Sequence, residues 1–402
     1  MRTLVVAAEH PWPTTSGSRH RLAATLCGLS SCGPTDLFSI VSGARSDFAD
    51  PPPGSRIERI GQVSIDDSPR PAGWVRAAFR PSMPAELPTA RGSEVRRALA
   101  EFATGHYDLV WFFRVRAWVL AGAPDFAPAV VDLDDLEDQK IAARLSVAGS
   151  ETDAAVQRLR RRASAALWRA DAARWRRLHE EISRRAAATV VCSDLAASRA
   201  GLGGTHVVPN GYPPPERPVG RQSVGFPPTI VFHGTLRYPP NADGARYLVD
   251  RVLPRLRPLL PDVQVRLVGV APPWMGALDD PPSVVVTGPV ADIGTELARA
   301  DLVVVPLRFA SGTRVKILEA FAHRIPVVST AVGAEGLAVE DGVHLLLADD
   351  PDALAKACAA ALTDSGLRGG LVEKAAELYA ERYQSSSTVQ AVAAVARAVV
   401  AP

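Results

Sequence analysis

Short continuous runs of β-branched and other apolar residues recur along this chain, each followed by a turn and a helical pattern. In the first half they are RTLVVAAE, DLFSIVS, YDLVWFFR, PAVVDLDD, ATVVCS and THVVPNG. In the second half they are TIVFHG, VQVRLVGV, SVVVTG, DLVVVPL, IPVVST and HLLLAD. Runs that do not alternate with polar residues cannot form a sheet with one wet face. They predict parallel strands with helices covering both faces. Between the halves lies PNGYPPPERPVGRQSVGFPP, dense in Pro and Gly, which predicts a linker. At 402 residues the chain exceeds what one core usually holds, so two α/β domains are expected. Their bounds are 1–210 and 229–385, with 211–228 as the linker. A ligand cleft is expected between them, at the carboxyl ends of the strands. Residues 50–93 are rich in Pro and Arg and read as loops with one or two short helices. Leu136 to Ala188 reads as a long helical region.

Composition narrows the classes. A net charge of +2 gives no field that would gather nucleic acid. The four cysteines, Cys27, Cys32, Cys192 and Cys358, show no metal-ligand spacing, so neither a disulfide framework nor a zinc site is expected and a reducing cytoplasm is the default. No run approaches the ~20 apolar residues of a membrane span, and the first apolar run is too short for a signal peptide. Of 45 basic residues only four are Lys, which leaves 41 Arg. Arginine runs are therefore weak evidence of function in this chain, and a lysine stands out.

One of those lysines lies in PLRFASGTRVKILEAFAHRIPVVST. A strand runs into a Ser-Gly-Thr turn and then a helical pattern, with Ile317, Leu318, Phe321 and Ile325 on its apolar side. Ser311, Gly312 and Thr313 let the backbone approach a ligand at the helix N-terminus, where unpaired N–H groups attract anions. Arg314 and Lys316 suit phosphate oxygens, and Glu319 is placed to accept from sugar hydroxyls. The alternative is a capped helix with an ordinary Lys316–Glu319 pair, worth a few tenths of a kcal/mol. On residue chemistry alone both stand.

Three other segments carry two readings each. HPWPTTSGSRHR offers Gly17 for backbone approach, yet it has neither the G-x-G-x-x-G of a dinucleotide fold nor a P-loop; it is also an ordinary strand-to-helix loop. Asp132, Asp134 and Asp135 end a strand, where they could hold hydroxyls, act as a base or bind Mg²⁺, or else cap the next helix. The segment from Val156 to Arg185 carries ten Arg with Trp168 and Trp175. It fits a helix on an anionic membrane or a solvated hairpin, and the Arg bias favours the hairpin. Single histidines, His10, His20, His106 and His233, are given no metal role.

Taken together, FHGTLRYPPNADGARYL, LVGVAPP, VTGPVADI and PLRFASGTRVKILEAFAHRIPVVSTAVGAEGL resemble the C-terminal half of retaining GT-B glycosyltransferases of family 4. HPWPTTSGSRHR resembles their N-terminal glycine loop and VVPNG their domain junction. The resemblance implies two Rossmann-like domains with parallel sheets facing a central cleft. It further implies that residues 386–402 form a helix returning to the first domain. The N-terminal domain would bind the acceptor and the C-terminal domain a nucleotide sugar, with UDP or GDP as the nucleotide. Transfer would retain the anomeric configuration without a metal or other cofactor. The family signature has two Glu eight positions apart. Glu319 matches the second, which bonds the ribose, whereas Ser311 stands at the first, so the donor sugar is left unspecified.

By the same resemblance, Gly17, Gly234, Arg237, Ser311, Gly312, Thr313, Arg314, Lys316 and Glu319 form the donor set. Arg237 and Lys316 stabilise the leaving diphosphate, and Asp134 contacts the sugar or the acceptor. His10, Trp12, Arg19, Asp132 and Asp134 form the acceptor set. The leaving phosphate takes the acceptor proton, so no strong protein nucleophile is needed. The expected partners are the nucleotide sugar and a small-molecule, glycan or lipid-linked acceptor, with no nucleic acid. The expected place is the cytoplasm, including the inner face of the membrane if the Arg-rich helix binds there. Two alternatives share the fold: a nucleotide-sugar 2-epimerase and a non-catalytic nucleotide-sugar-binding protein.

Overall fold

The computed structural model describes residues 1–42, 56–65, 83–85, 87, 92–122, 127–147, 155–219 and 227–401. Two units separate, Met1–Asn210 with Ser386–Pro402, and Gly211–Ser385. The first holds β1 (Thr3–Ala7), β2 (Thr35–Ser42), β3 (Ile57–Ile65), β4 (Leu109–Phe113), β5 (Ala129–Asp134), β6 (Ala188–Val191) and β7 (Thr205–Val207). They lie in the order β3-β2-β1-β4-β5-β6-β7, every neighbouring pair parallel. The second holds β8 (Thr229–His233), β9 (Gln264–Val268), β10 (Val284–Gly288), β11 (Leu302–Val305), β12 (Val327–Ser329) and β13 (Leu346–Leu347). Their order is β10-β9-β8-β11-β12-β13, again all parallel.

The apolar runs behave as their composition dictates. In β1, Leu4 and Val6 enter one core cluster while Val5 and Ala7 enter another on the opposite face. Both faces of the strand are dry, which is why the run does not alternate. The chain's last helix, Ser385–Val400, contributes Val392, Val395 and Ala396 to the cluster built on Leu22, Leu26 and Leu29 of the helix Gly17–Cys32. The two helices approach so closely at Gly28 that a Cβ there would lie 2.7 Å from the Val389 carbonyl oxygen.

Part of residues 50–93 departs from the expected loops and helices. Ile57–Ile65 is a nine-residue strand on the edge of the first sheet, paired with β2 along its length. An edge strand half open to water has no continuous apolar run, and IERIGQVSI mixes polar with apolar residues accordingly. Expectations for residues 50–55, 66–82, 86 and 88–91 lie outside the described residues. The long helical region resolves into Glu137–Val147 and Ala155–Arg185.

In each unit the strand order reverses once, between β1 and β4 and between β8 and β11. Loops leaving the carboxyl ends of such a pair diverge to opposite faces and open a crevice where ligands bind in open α/β sheets. The chain therefore provides one switch point in each unit.

Candidate functional site

At the switch point of the second unit, β8 ends in His233 and turns at Gly234, while β11 runs into the loop 306–314 and the helix Val315–Ala322. The turn cannot carry a side chain. Gly234 and Gly269 each have φ +132°, and a Cβ on Gly269 would fall 1.9 Å from the Gly234 carbonyl oxygen. A Cβ on Gly234 would itself come within 3.3 Å of Lys316 Nζ. Removing that bulk leaves room for the ammonium, which donates to Asn241 Oδ1 at 2.8 Å and sits 4.3 Å from the centroid of the Phe232 ring. Asn241 is fixed in turn by its Nδ2, which donates to the Thr235 carbonyl at 3.0 Å. One turn along the helix, the Glu319 carboxylate accepts from the Tyr212 phenol and lies 3.5 Å from His233 Nδ1.

Burial governs the protonation of this cluster. It pulls Lys316 down to about 7, with Arg314 adding to the effect and Glu319 opposing it. It pushes Glu319 up to about 7 against the Tyr212 hydrogen bond and Lys316. It drives His233 down to about 3, helped by Lys316 and His323, so this imidazole is neutral at physiological pH. A cation and a carboxylate are thus held one turn apart, each short of full ionisation near neutrality. An incoming anion would shift Lys316 towards its charged form.

Arg314 behaves differently from the sequence expectation. It is buried, it occupies the cap position before the helix, and its guanidinium donates to the carbonyls of Ser311, Gly312 and Val332. It holds the Ser-Gly-Thr loop in shape, with Gly312 at φ +72°, instead of pointing at a ligand. The helix accordingly starts at Val315, two residues later than Thr313. The Ser311 hydroxyl is buried without a partner among the described residues. Arg237 is exposed and rests its Nε on the Ala271 carbonyl at 3.3 Å.

The first unit assembles a second polar cluster at the ends of β1, β4 and β5. Its centre is Arg21, on the core-facing side of the helix Gly17–Cys32. Nε and Nη2 grip Asp132 Oδ2 and Oδ1 at 3.0 and 2.9 Å, and Nη1 donates to the Val208 carbonyl and Asn210 Oδ1, both at 2.8 Å. Asp134, at φ +53°, accepts from Arg114 Nη2 at 2.9 Å and lies 3.6 Å from Arg21 Nε. Burial would raise its carboxyl, but Arg114 and Arg21 outweigh that and hold it below the usual range. Glu9 pairs with Arg114 and Arg19 at 3.8 and 3.9 Å.

Several expected acceptor contacts therefore face inward. Asp132 is fully buried with both oxygens on Arg21. His10 is buried, 3.4 Å from Ser39 Oγ and edge-on to Trp12, and Trp12 belongs to the core cluster of Leu22 and Leu26. Arg19 ties its own loop together through the Pro13 carbonyl and Thr15 Oγ1. Gly17 is the first residue of its helix, capped by Ser16, which accepts from the Arg19 amide. Outside the expected site residues lie Arg21, Arg114, Glu9 and Asn210 in this unit, and His233, Asn241 and Tyr212 in the other. Of these, Asn210 lies in VVPNG, Arg21 in HPWPTTSGSRHR, and His233 and Asn241 in FHGTLRYPPNADGARYL.

Among the described residues, the ligand atoms of Asp134, Asp135 and Cys192 lie within 4.8 Å of one another, a grouping that could hold a metal ion. Asp134 already faces two arginines. Among the same residues no helix is long and apolar enough to cross a membrane.

Comparison with known proteins converges on one fold. Residues 227–364 match the family model described as glycosyl transferases group 1. HepE from Anabaena, solved with UDP and glucose, shares 19% identity over 98% of both chains, with a TM-score of 0.64. Sucrose-phosphate synthase from Thermosynechococcus elongatus shares 16% over 96% of both, with a TM-score of 0.67. WaaG, a glycosyltransferase of lipopolysaccharide biosynthesis, shares 17% over 98% of this chain and 99% of its own, with a TM-score of 0.61. No curated protein matches by sequence. The two parallel sheets are those of the GT-B fold.

Arg21 anchors the cluster of the first unit, and its removal is the test of that assignment. Arg21→Met leaves the Asp132 carboxylate buried and unpaired, which is expected to cost about 3–5 kcal/mol in urea unfolding. Adding Asp132→Asn should recover part of the loss. Unchanged stability in Arg21→Met contradicts the assignment.

Proposed function

We propose that this chain, whose residues 227–364 match the model of group 1 glycosyl transferases, transfers a glycosyl group from a uridine diphosphate sugar to an acceptor hydroxyl. The observation that supports it most is the pairing of Lys316 and Glu319 on one helix at the β8/β11 switch point of the second unit. Glu319, braced by Tyr212 and His233, accepts from the two ribose hydroxyls. Lys316 meets the diphosphate, and exposed Arg237 turns from the Ala271 carbonyl to join it. Their charge counts most as negative charge grows on the leaving group. Uracil is favoured because HepE, of the same fold, was solved with UDP.

In this reading the loop shaped by Arg314 presents the Gly312 and Thr313 N–H groups and the Ser311 hydroxyl to the donor sugar. They take the place of the carboxylate that the family signature has at Ser311. Asp134, ionised between Arg114 and Arg21, bonds a hydroxyl of the sugar or of a small-molecule, glycan or lipid-linked acceptor. The reading is a front-side displacement in which the leaving phosphate oxygen receives the acceptor proton, with retention and without a metal. The test is turnover of a panel of UDP-sugars with and without acceptors, with the product anomer read by NMR. Transfer with retention that survives a chelator is expected. Inversion, loss of transfer with the chelator, or epimerisation of the donor without any acceptor contradicts the reading.

Lys316 and Arg314 should separate by ligand. Lys316→Ala is expected to weaken UDP by about tenfold or more while leaving uridine nearly unchanged, since charged hydrogen bonds to phosphate are worth about 1.5–3 kcal/mol. Arg314→Ala, which loosens the loop, should weaken both alike. Calorimetry at pH 8 adds a second readout. With Lys316 near 7 the free protein is mostly neutral there, so UDP binding should take up a proton in the wild type and not in Lys316→Ala. Equal losses for UDP and uridine in Lys316→Ala would mean that the lysine serves the helix.

A further inference from the structure

The chain passes from the first unit to the second at Asn210–Gly211 and returns at Ser385–Ser386. Tyr212 stands two residues beyond the first passage, and its backbone is tied to the segment just before the second. Its N–H donates to the Tyr383 carbonyl at 2.9 Å, and Tyr212 and Gln384 form an isolated bridge. Its carbonyl accepts from the Ser385 N–H at 3.0 Å and from the Tyr379 hydroxyl at 2.9 Å. The backbone of one residue thus carries three hydrogen bonds to Tyr379–Ser385. Tyr383 is held in its turn, its hydroxyl accepting from the Ala338 N–H at 2.8 Å.

The side chain of Tyr212 goes the other way. Its ring is buried, 6.3 Å from the ring of His323 at the end of the site helix, and its hydroxyl donates to Glu319. Burial and the facing carboxylate keep the phenol protonated, so it donates to Glu319 when that carboxylate is ionised. A carboxylate that must present its oxygens to two vicinal hydroxyls depends on its rotamer. Of the groups around Glu319, Tyr212 holds it from outside its own helix by a direct hydrogen bond, while neutral His233 stands at 3.5 Å.

We propose that Tyr212 is a positioning residue for donor binding, its hydroxyl aiming the Glu319 carboxylate at the ribose from the place where the chain enters the second unit. The inference rests on the reading of Glu319 as the ribose ligand. It adds that ribose recognition depends on the strand-like clamp of Tyr212 against Tyr379–Ser385. Mispositioning of either passage would then reach the donor site through a single hydrogen bond.

The experiment compares UDP with 2′,3′-dideoxy-UDP by calorimetry in the wild type, Glu319→Gln, Tyr212→Phe and Tyr212→Gln. Tyr212→Phe keeps the buried ring and removes the donor. It should shrink the preference for UDP about tenfold, largely through the UDP constant. Tyr212→Gln, whose amide can donate, should restore part of the preference. A pH series adds a readout that a purely structural role would not move. Glu319 is faced by Tyr212, His233 and Lys316, with His323 and Asp292 next to Tyr212. Loss of the phenol removes a group that favours the carboxylate, so the pH below which UDP affinity falls should move upward in Tyr212→Phe. If Glu319→Gln loses the preference and Tyr212→Phe keeps it, the inference fails and the ribose reading stands. If Glu319→Gln keeps the preference, the ribose reading fails and takes the inference with it.

Discussion

The second unit depends on a half-buried ammonium group. Lys316 sits beneath a turn that must be glycine, donates to Asn241 and lies against the face of Phe232. None of these neighbours carries a full negative charge, so the lysine is left incompletely compensated. That is a costly arrangement for an unliganded protein, and an efficient one for a site meant to receive an anion, because little must be undone when the anion arrives. The crossing of Gly234 over Gly269, the position of Asn241 at the start of its helix and the rigid loop before Val315 can all be understood as consequences of keeping that cation in place.

The two units share a strand order and differ in how they treat charge at the switch point. In the first, Arg21 is matched at once by Asp132, and Asp134 by Arg114, so the cluster is closed on itself and stable. In the second, charge is left open. A matched network fits a rigid support on which Asp134, held ionised in a left-handed backbone conformation, can serve as a fixed acceptor of hydrogen bonds. An unmatched one fits the binding of a charged substrate.

The fold was legible because fully buried parallel strands leave continuous apolar runs, and those runs appear in order on both sides of a Pro-rich junction. β3 escaped notice because an edge strand has no such run. The helix carrying Lys316 and Glu319 was legible from a lysine in an arginine-dominated chain and from the glutamate one turn on. The role of Arg314 was not, since nothing in residue type tells whether a guanidinium before a helix turns outward to an anion or back onto the carbonyls of its own loop. His10 and Trp12, which the resemblance placed in the acceptor set, are buried, and Trp12 belongs to the core cluster of Leu22 and Leu26. Arg21 and Tyr212 are visible only in three dimensions, because their partners lie 111 and 107 positions away in the sequence.

The central claim is that Lys316 and Glu319 divide one nucleotide between them. A crystal structure of the full chain with UDP tests it most directly. The account predicts the ribose hydroxyls within hydrogen-bond distance of Glu319, and a diphosphate oxygen on the Lys316 ammonium. Nucleotide bound elsewhere, or bound at this switch point with Glu319 turned away from the ribose and Lys316 contacting no phosphate, would contradict it.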